Sequence, residues 1–229
     1  MKKLYICGDS FACNDPDSSI TPWHQLLTNE LKNHWIVNNL SLICASNLNI
    51  RMQVDKAVED HADFVIVLFT SSVRGHGRIS TQESIDNLLN NFYRVEKDDD
   101  KKQLGCWSYH SLDTNCVMPK NKTSILKSFF TEIFDLNLAI YENQCIIESS
   151  LHKLKSNQVE FLFDQGGFEN PFFGGDKTYF EEFNNYRSQL NLWTLYGSPI
   201  VYRPYFHITD QLIHNDIANY YKQVLCPSK

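Results

Sequence analysis

The sequence predicts an α/β protein, a three-layer α/β/α sandwich with a mostly parallel central sheet. Apolar runs over residues 4–7 and 64–69, and a segment rich in β-forming residues over 35–43, each end at a polar turn and form three successive strand-to-helix units. Such units build parallel sheets that are flanked by helices. The run over residues 64–69 is apolar without interruption, which is typical of a strand that is covered on both faces.

The remaining elements are predicted from apolar periodicity in chain order. The first two helices are indicated by residues at helical spacing, namely Trp23, Leu26, Leu27 and Leu31, then Ile50, Val54 and Val58. A long scaffold helix is expected over residues 124–155 and a fourth strand over residues 159–163. The last helix is expected to begin with Thr209 as its N-cap and to end near Leu225.

Residues 94–124 interrupt this pattern and predict an inserted loop. Its first part is a run of charges over residues 96–102, which favours a solvated excursion. Trp107, Tyr109 and His110 follow and are candidates for a lid or a substrate wall. With 229 residues, of which 42% are hydrophobic, we expect a single domain over residues 1–229 with this insertion.

Composition excludes several classes of function. The net charge of −6, without a basic cluster, argues against nucleic acid as a partner. The seven cysteines have no zinc-site spacing and are expected to be free thiols in a reducing compartment. No apolar stretch is long enough for a signal peptide core or a membrane span, so we expect a cytoplasmic protein without a membrane partner. Neither a metal site nor a cofactor is predicted, since the scattered histidines lack ligand spacing.

Gly8, Asp9 and Ser10 directly follow the first predicted strand. This position is typical of nucleophiles in α/β enzymes, and it is also typical of an ordinary turn in which Asp or Ser caps a helix. Polar residues follow the second and third strands as well, at residues 46–47 and 70–72. Because the carboxyl ends of parallel strands meet at one edge, we expect these groups to converge on a single crevice.

The residues from Cys7 to Ala12 resemble the first block of the SGNH (GDSL-type) hydrolase family, in which the nucleophilic serine lies in a Gly-Asp-Ser motif after the first strand. Residues 39–47 are similar to the family's second block, an Asn-rich strand that leads into a Gly-x-Ser-Asn turn. This chain has Cys44 and Ala45 in place of the glycine. The resemblance implies an SGNH hydrolase or flavodoxin-like sandwich and a serine esterase activity.

The resemblance also implies an oxyanion hole, which is a set of hydrogen-bond donors for the oxygen that becomes negative. The backbone N–H groups of Ser10 and Ala45, together with Asn47, are the expected donors. The family commonly has an asparagine after the third strand, where this chain has Phe-Thr-Ser-Ser over residues 69–72. A hydroxyl from Thr70 or Ser71 is therefore the alternative third donor.

The general base implied by the resemblance is His207, which stands shortly before the last predicted helix. Relatives have an aspartate three residues before this histidine, where this chain has Pro204. Either Asp210 orients His207 from the start of the helix, or Ser10 and His207 act as a dyad. His214 is an alternative base, although its spacing from Ala218 favours a histidine that packs within the helix.

These residues together predict a serine esterase that acts through an acyl-enzyme on a small-molecule or glycan ester. An O-acetyl group on a glycan is the favoured substrate. The alternative is a catalytically impaired binding module with the same fold, which the departures at residues 44–45, 71 and 204 favour. A nucleotide-binding domain is disfavoured, because no glycine-rich phosphate loop follows the first strand.

Overall fold

The computed structural model describes residues 1–13, 20–42, 45–70, 74–77, 105–108, 132, 135–164, 177–188, 190 and 211–227. Its strands are β1 (Lys2–Cys7), β2 (Trp35–Asn39), β3 (Phe64–Leu68), β4 (Arg74–Gly77), β5 (Gly105–Ser108) and β6 (Glu160–Asp164). Its helices are α1 (Trp23–Leu31), α2 (Asn47–Glu59), α3 (Leu136–Ser156) and α4 (Gln211–Leu225). A 3₁₀-helical segment, Lys177–Tyr186, lies between β6 and α4 and is kinked at Phe180.

The main sheet is parallel and has the strand order β2-β1-β3-β6. All four strands therefore end at the same edge, which we call the carboxyl edge. Cys7 pairs with Val67, and Leu68 pairs with Asp164, so the ends of β1, β3 and β6 lie at nearly one level. The predicted parallel sheet is confirmed.

Helices cover both faces of this sheet. Residues from β1 and β3 alternate between two cores, as successive side chains of a strand must. Val65 and Val67 pack with α2 and α3 in one core, whereas Ile66 and Leu68 pack with α1 and α4 in the other. The predicted three-layer α/β/α sandwich is therefore confirmed.

Two of the predicted boundaries are wrong. The expected helix over residues 124–155 does not continue through Asp135, whose carboxylate accepts hydrogen bonds from Asn137 N and Leu138 N and caps α3. The second strand ends at Asn39 rather than at residue 43. The side chain of Asn39 accepts a hydrogen bond from Ser41 N at 3.0 Å, which turns the chain.

The predicted insertion contains a strand. Gly105–Ser108 pairs antiparallel with Arg74–Gly77 in a separate two-stranded sheet, so this part of the insertion is not a loop. The rest of residues 94–124 and the predicted cap Thr209 lie outside the described residues. Within the described ranges, no helix combines the length and the apolar character that a membrane span requires.

Candidate active site

The candidate site lies at the carboxyl edge, where the chain leaves β1 through Gly8, Asp9 and Ser10. Gly8 is buried where β1 approaches β3 closely. A Cβ atom on Gly8 would lie 3.2 Å from the Cβ atoms of Ala12 and Leu68 and 3.3 Å from the Leu68 carbonyl oxygen. Close packing, rather than an unusual backbone angle, therefore accounts for glycine at this position.

The backbone of Gly8 is held by a side chain from α2. Gly8 N donates to Gln53 Oε1 at 2.7 Å, and Gln53 Nε2 donates back to the Gly8 carbonyl at 3.2 Å. Gln53 is buried and extends the hydrogen bonding of β1 after its ladder ends. Because buried backbone groups need partners, this clamp fixes the peptide that precedes the Asp9–Ser10 pair.

Hydrogen bonds from several directions fix the turn over residues 9–13. Within the turn, Phe11 N donates to Asp9 Oδ1 and Ala12 N donates to the Asp9 carbonyl, both at 3.0 Å. From outside it, Trp23 Nε1 donates to the Phe11 carbonyl at 2.9 Å, and Asn39 Nδ2 donates to the Ala12 carbonyl at 2.6 Å. The turn is thus tied to both α1 and β2.

Ser10 is half-buried at the top of this turn. Its carbonyl accepts a weak hydrogen bond from Cys13 Sγ at 3.8 Å. Its backbone N–H and its hydroxyl make no hydrogen bond with the part of the chain that the structure describes. A rigid turn therefore presents a hydroxyl and an adjacent N–H that are both available to a substrate.

Cys7 lies three residues before Ser10, and its thiol is not available as a nucleophile. The side chain is fully buried in the core on the α2 and α3 side. Burial raises the pKa of the Cys7 thiol far above its usual value, so the thiol stays protonated.

A chain of buried polar groups connects the Ser10 turn to β3, α2 and α3. Thr70 Oγ1 donates to Asp9 Oδ2 at 2.7 Å, and Thr70 N donates to Asn47 Oδ1 at 2.8 Å. Asn47 Nδ2 donates to the Thr70 carbonyl at 3.0 Å and to Asn143 Oδ1 at 2.8 Å. Thr70, which follows β3, is therefore bonded to the turn over residues 9–13 on one side and to two helices on the other.

This arrangement bears on the expected oxyanion donors. Both hydrogens of the Asn47 amide are engaged, one by Thr70 and one by Asn143, so Asn47 stabilises the structure here by linking these two residues. Ala45 N donates to the Leu42 carbonyl at 3.2 Å. Among the three expected donors, only the Ser10 N–H is uncommitted within the described residues. The alternative donor, Ser71, lies outside them.

Of the two histidines predicted as candidates for the general base, the structure describes only one. His207 and Asp210 lie outside the described residues. His214 is buried in α4, and its Nδ1 accepts a hydrogen bond at 3.0 Å from Trp23 N in the first turn of α1. A neutral imidazole that accepts at Nδ1 carries its proton on Nε2, which leaves no nitrogen free to take a proton. This geometry makes His214 a cap for α1 and favours His207 as the base.

His24 is the second buried histidine on this face of the sheet. It is 5% exposed, and among the residues that the structure describes its Nε2 has no hydrogen-bond partner. Burial lowers the pKa of His24 to about 4, the charge that His214 can carry lowers it further, and a hydrogen bond to the Cys13 backbone partly opposes the change. His24 is therefore neutral near pH 7 and supports the turn over residues 9–13 through Cys13.

Sequence reasoning missed three residues at the carboxyl edge. Gln53 and Asn143 are buried amides that bond to the site from α2 and α3. Asp164 ends β6 and is 6% exposed; within the described residues, it and Asp9 are the only buried carboxylates. A signal existed for Gln53, which stands among the apolar positions of its helix between Ile50 and Val54. The end of the fourth apolar run was the corresponding signal for Asp164.

A group of potential metal ligands lies elsewhere, between α3 and the 3₁₀ segment. His152 Nε2 is 3.1 Å from Glu182 Oε1 and 3.9 Å from Glu148 Oε1. Lys155 Nζ is 3.2 Å from Glu182 Oε2. All of these side chains are about half exposed, so the group is a surface ion-pair network in which a lysine already balances the charge.

Neither a family model nor a curated protein matches this chain. Solved structures do. The chain superposes on the psychrotrophic esterase EstA from Pseudoalteromonas sp. with a TM-score of 0.54 and 9% identity, over 98% of this chain and 97% of that one. It superposes on TesA with a TM-score of 0.52 and 10% identity over 99% of both chains.

The acetyl xylan esterase AlAXEase gives a TM-score of 0.51 and 8% identity, over 97% of this chain and 99% of that one. Identities this low carry information on the fold alone. The likeness extends over nearly the whole length of each protein, and it agrees with the parallel sheet and the two helical layers described above. The chain therefore has the SGNH hydrolase fold.

Proposed function

We propose that the chain is a serine esterase with Ser10 as its nucleophile. The observation that carries this proposal is the state of Ser10, whose hydroxyl and N–H are available at the top of a turn that is otherwise fixed by hydrogen bonds. Preorganised groups of this kind are what acyl transfer requires. The shared fold with EstA and AlAXEase, which are named as esterases, supports the same reaction class.

In the proposed reaction, Ser10 Oγ attacks the ester carbonyl carbon while His207 takes the hydroxyl proton. The C–O bond to the alcohol then breaks, and His207 returns the proton to the leaving oxygen. Water attacks the carbonyl carbon of the resulting acyl-enzyme and gives a proton to His207. The C–O bond to Ser10 then breaks, His207 returns the proton to Ser10 Oγ, and the acid is released. The Ser10 N–H stabilises the oxyanion in both steps.

Two further donors to the oxyanion are part of the proposal, but both are engaged in other hydrogen bonds. Ala45 N–H and the Asn47 amide can serve the oxyanion only if each gives up a hydrogen bond that it makes now. The Ser71 hydroxyl is the alternative. Asp9 is assigned no proton transfer, since its carboxylate already accepts from Phe11 N and Thr70 Oγ1.

The anchoring of α4 supports His207 as the base. Gln211, the first residue of α4, exchanges two hydrogen bonds with the backbone of Thr21, beside the start of α1. Trp23 in the first turn of α1 is bonded to the nucleophile turn. Four residues of extended chain span at most about 14 Å, so His207 lies no farther than that from Gln211.

The second candidate function is a binding module with the same fold and little hydrolytic activity. The engagement of Ala45 N–H, the Asn47 amide and the Thr70 hydroxyl favours this candidate, because an oxyanion hole with one donor stabilises the transition state less.

The deciding experiment measures hydrolysis of p-nitrophenyl acetate and labelling by a fluorophosphonate probe. We expect the wild-type protein to do both, and we expect Ser10→Ala to lose both with unchanged thermal unfolding. His207→Ala should lose several orders of magnitude in kcat, and His214→Ala should lose stability more than activity. Activity that survives in Ser10→Ala would remove the serine mechanism, and a folded wild type that neither hydrolyses nor labels would favour the binding module.

For the substrate, we propose an acetyl ester of a glycan. The support is the name of AlAXEase and the content of aromatic residues in two predicted loops, residues 93–123 and 168–175, which suits stacking on sugars. Release of acetate from acetylated xylan, compared with hydrolysis of p-nitrophenyl acetate and p-nitrophenyl octanoate, tests this proposal. A preference for the octanoate ester would contradict it.

A further inference from the structure

We propose that Gln53 is a positioning residue for the reaction, which sets where Ser10 lies relative to the turn that carries Ala45. This inference rests on the proposed esterase function. It gives α2 a part in the reaction beyond its place in the core, because the buried side chains of this one helix are bonded next to both turns of the proposed site.

The hydrogen bonding between β1 and β2 changes at Gly8. Leu40 N donates to the Ile6 carbonyl at 2.8 Å and Leu42 N donates to the Gly8 carbonyl at 3.2 Å, so this series of bonds continues past the end of β2. Gly8 N, by contrast, donates to Gln53 Oε1 at 2.7 Å, and Gln53 Nε2 shares the Gly8 carbonyl with Leu42 N. A side chain from α2 therefore gives Gly8 both an acceptor and a donor, directly before the turn over residues 9–13.

Gln53 is a buried amide among apolar neighbours. It is 6% exposed and stands in α2 between Ile50 and Val54, which pack in the core on the α2 and α3 side. A buried amide costs free energy unless its donor and its acceptor are both bonded, and Gln53 bonds each of them to Gly8. An apolar side chain would suit this core but would take the acceptor away from Gly8 N. The polar atoms at this position thus serve the Gly8 backbone.

The same helix is bonded to the turn that carries Ala45. α2 begins at Asn47, directly after Ala45 and the N-cap residue Ser46. Asn49 Oδ1 accepts from Ser46 N at 3.1 Å and from Ser46 Oγ at 2.8 Å. The helix rises about 9 Å over the six residues from Asn47 to Gln53. One short helical segment therefore joins the start of the Ser10 turn to the proposed donors at Ala45 and Asn47.

The role of Gln53 follows from these contacts. In the proposed reaction, the Ser10 N–H stabilises the oxyanion that forms when Ser10 Oγ attacks, so both groups need a fixed position relative to any donor at Ala45 or Asn47. Gln53 bonds Gly8, two residues before Ser10, to the helix from which those donors start. A displacement of about 1 Å between reacting groups can lower the rate about a hundredfold.

The first test compares Gln53→Met with Val54→Ala. Methionine fills a similar space but provides no hydrogen-bond donor and only a weak acceptor. Val54 is fully buried at the next position of α2, so Val54→Ala weakens the same core without removing a hydrogen bond and is the matched control. Both variants should unfold at lower urea concentration than wild type.

Only Gln53→Met should also lose activity. We expect its kcat for p-nitrophenyl acetate and its rate of fluorophosphonate labelling to fall about a hundredfold, with KM within a few-fold of wild type. Val54→Ala should retain the wild-type kcat. Equal losses of kcat in the two variants would mean that any weakening of this core reduces activity, and they would overturn the inference.

Gln53→Glu tests the hydrogen bonds themselves and is the second variant if Gln53→Met does not fold. A protonated carboxyl group offers Gly8 a donor and an acceptor, as the amide does, whereas an ionised one only accepts. Burial and the nearby Asp9 carboxylate both favour the protonated form of the introduced group, and the Cys7 thiol beside it is uncharged. The ratio of variant to wild-type kcat should therefore rise towards one as pH is lowered between about pH 9 and pH 5.

A role in stability alone predicts equal kcat for the folded proteins at every pH. Wild-type kcat in folded Gln53→Met, or a ratio for Gln53→Glu that does not change with pH, overturns the inference and leaves the esterase proposal intact. A wild-type protein that is neither active nor labelled by fluorophosphonate overturns both.

Discussion

At the scale of single residues, the site depends on positions where a small change in volume or in hydrogen bonding reaches Ser10 directly. Gly8 is the clearest of these positions. Its neighbours leave no ordinary space for a side chain, and one of them is the backbone oxygen of Leu68, which cannot rotate away. The spacing between β1 and β3 therefore has to change if Gly8 gains a Cβ atom.

We predict that Gly8→Ala lowers the free energy of unfolding by about 1–3 kcal/mol, as overpacking in a buried position does. Urea unfolding measures this loss. The double variant Gly8→Ala with Ala12→Gly removes one of the two 3.2 Å Cβ contacts, so its loss should be smaller than the sum of the two single losses. Strict additivity would show that the contact with Ala12 is not the source of the strain.

At the scale of elements, the Asn47 amide joins the start of α2 to the end of β3 and to α3. Asn143→Ala removes one partner of Asn47 and leaves both bonds to Thr70 in place. We predict a loss of stability of about 1–2 kcal/mol and a kcat within a few-fold of wild type, since the Asn47 hydrogen released is then free to face an oxyanion.

Asn47→Ala is the matched comparison, because it removes the hydrogen bonds between Asn47 and Thr70 as well as the proposed oxyanion donor. It should lower both stability and kcat, the latter by on the order of a hundredfold or more if Asn47 serves the oxyanion. Chemical denaturation and steady-state kinetics on both variants separate the two effects. A kcat that collapses in Asn143→Ala at unchanged stability would assign Asn143 itself to the reaction.

Elements were predictable from the sequence where their signal is local, and the site was predictable only in part. The β1 strand and the Gly8-Asp9-Ser10 turn are contiguous, so both can be identified from a few residues. Gln53 and Asn143 bond to groups 45 and 96 residues away, which no local pattern reveals. The apolar pattern of residues 126–134 continues into α3 and hides the cap at Asp135.

At the scale of the whole molecule, the two faces of the sheet are stabilised differently next to the site. On the face covered by α2 and α3, amide side chains connect the helices to the ends of the strands. On the α1 and α4 face, histidines make the connections: His214 caps α1, and His24 supports the turn over residues 9–13 through Cys13. The exposed ion pair of Lys222 with Glu30 also joins α1 and α4, and exposed pairs of this kind contribute little.

Buried His24 makes the stability of the whole fold depend on pH. Its pKa is about 4 in the folded protein, against a usual value of 6.5, so between these pH values the unfolded chain binds a proton that the folded protein does not. Stability therefore rises with pH through this window. The contribution is complete above about pH 6.5 and is lost as pH falls towards 4.

We predict that the free energy of unfolding falls by about 3 kcal/mol between pH 6.5 and pH 4 because of His24 alone, at 1.36 kcal/mol for each unit of pKa difference. His24→Phe keeps a buried ring and removes the titration, so its unfolding free energy should be lower near neutral pH and should depend less on pH within the window. His34→Gln changes an exposed histidine and should retain the wild-type slope. Urea unfolding at half-unit pH steps compares the three proteins, and equal slopes in wild type and His24→Phe would mean that carboxylates, not His24, cause the acid sensitivity.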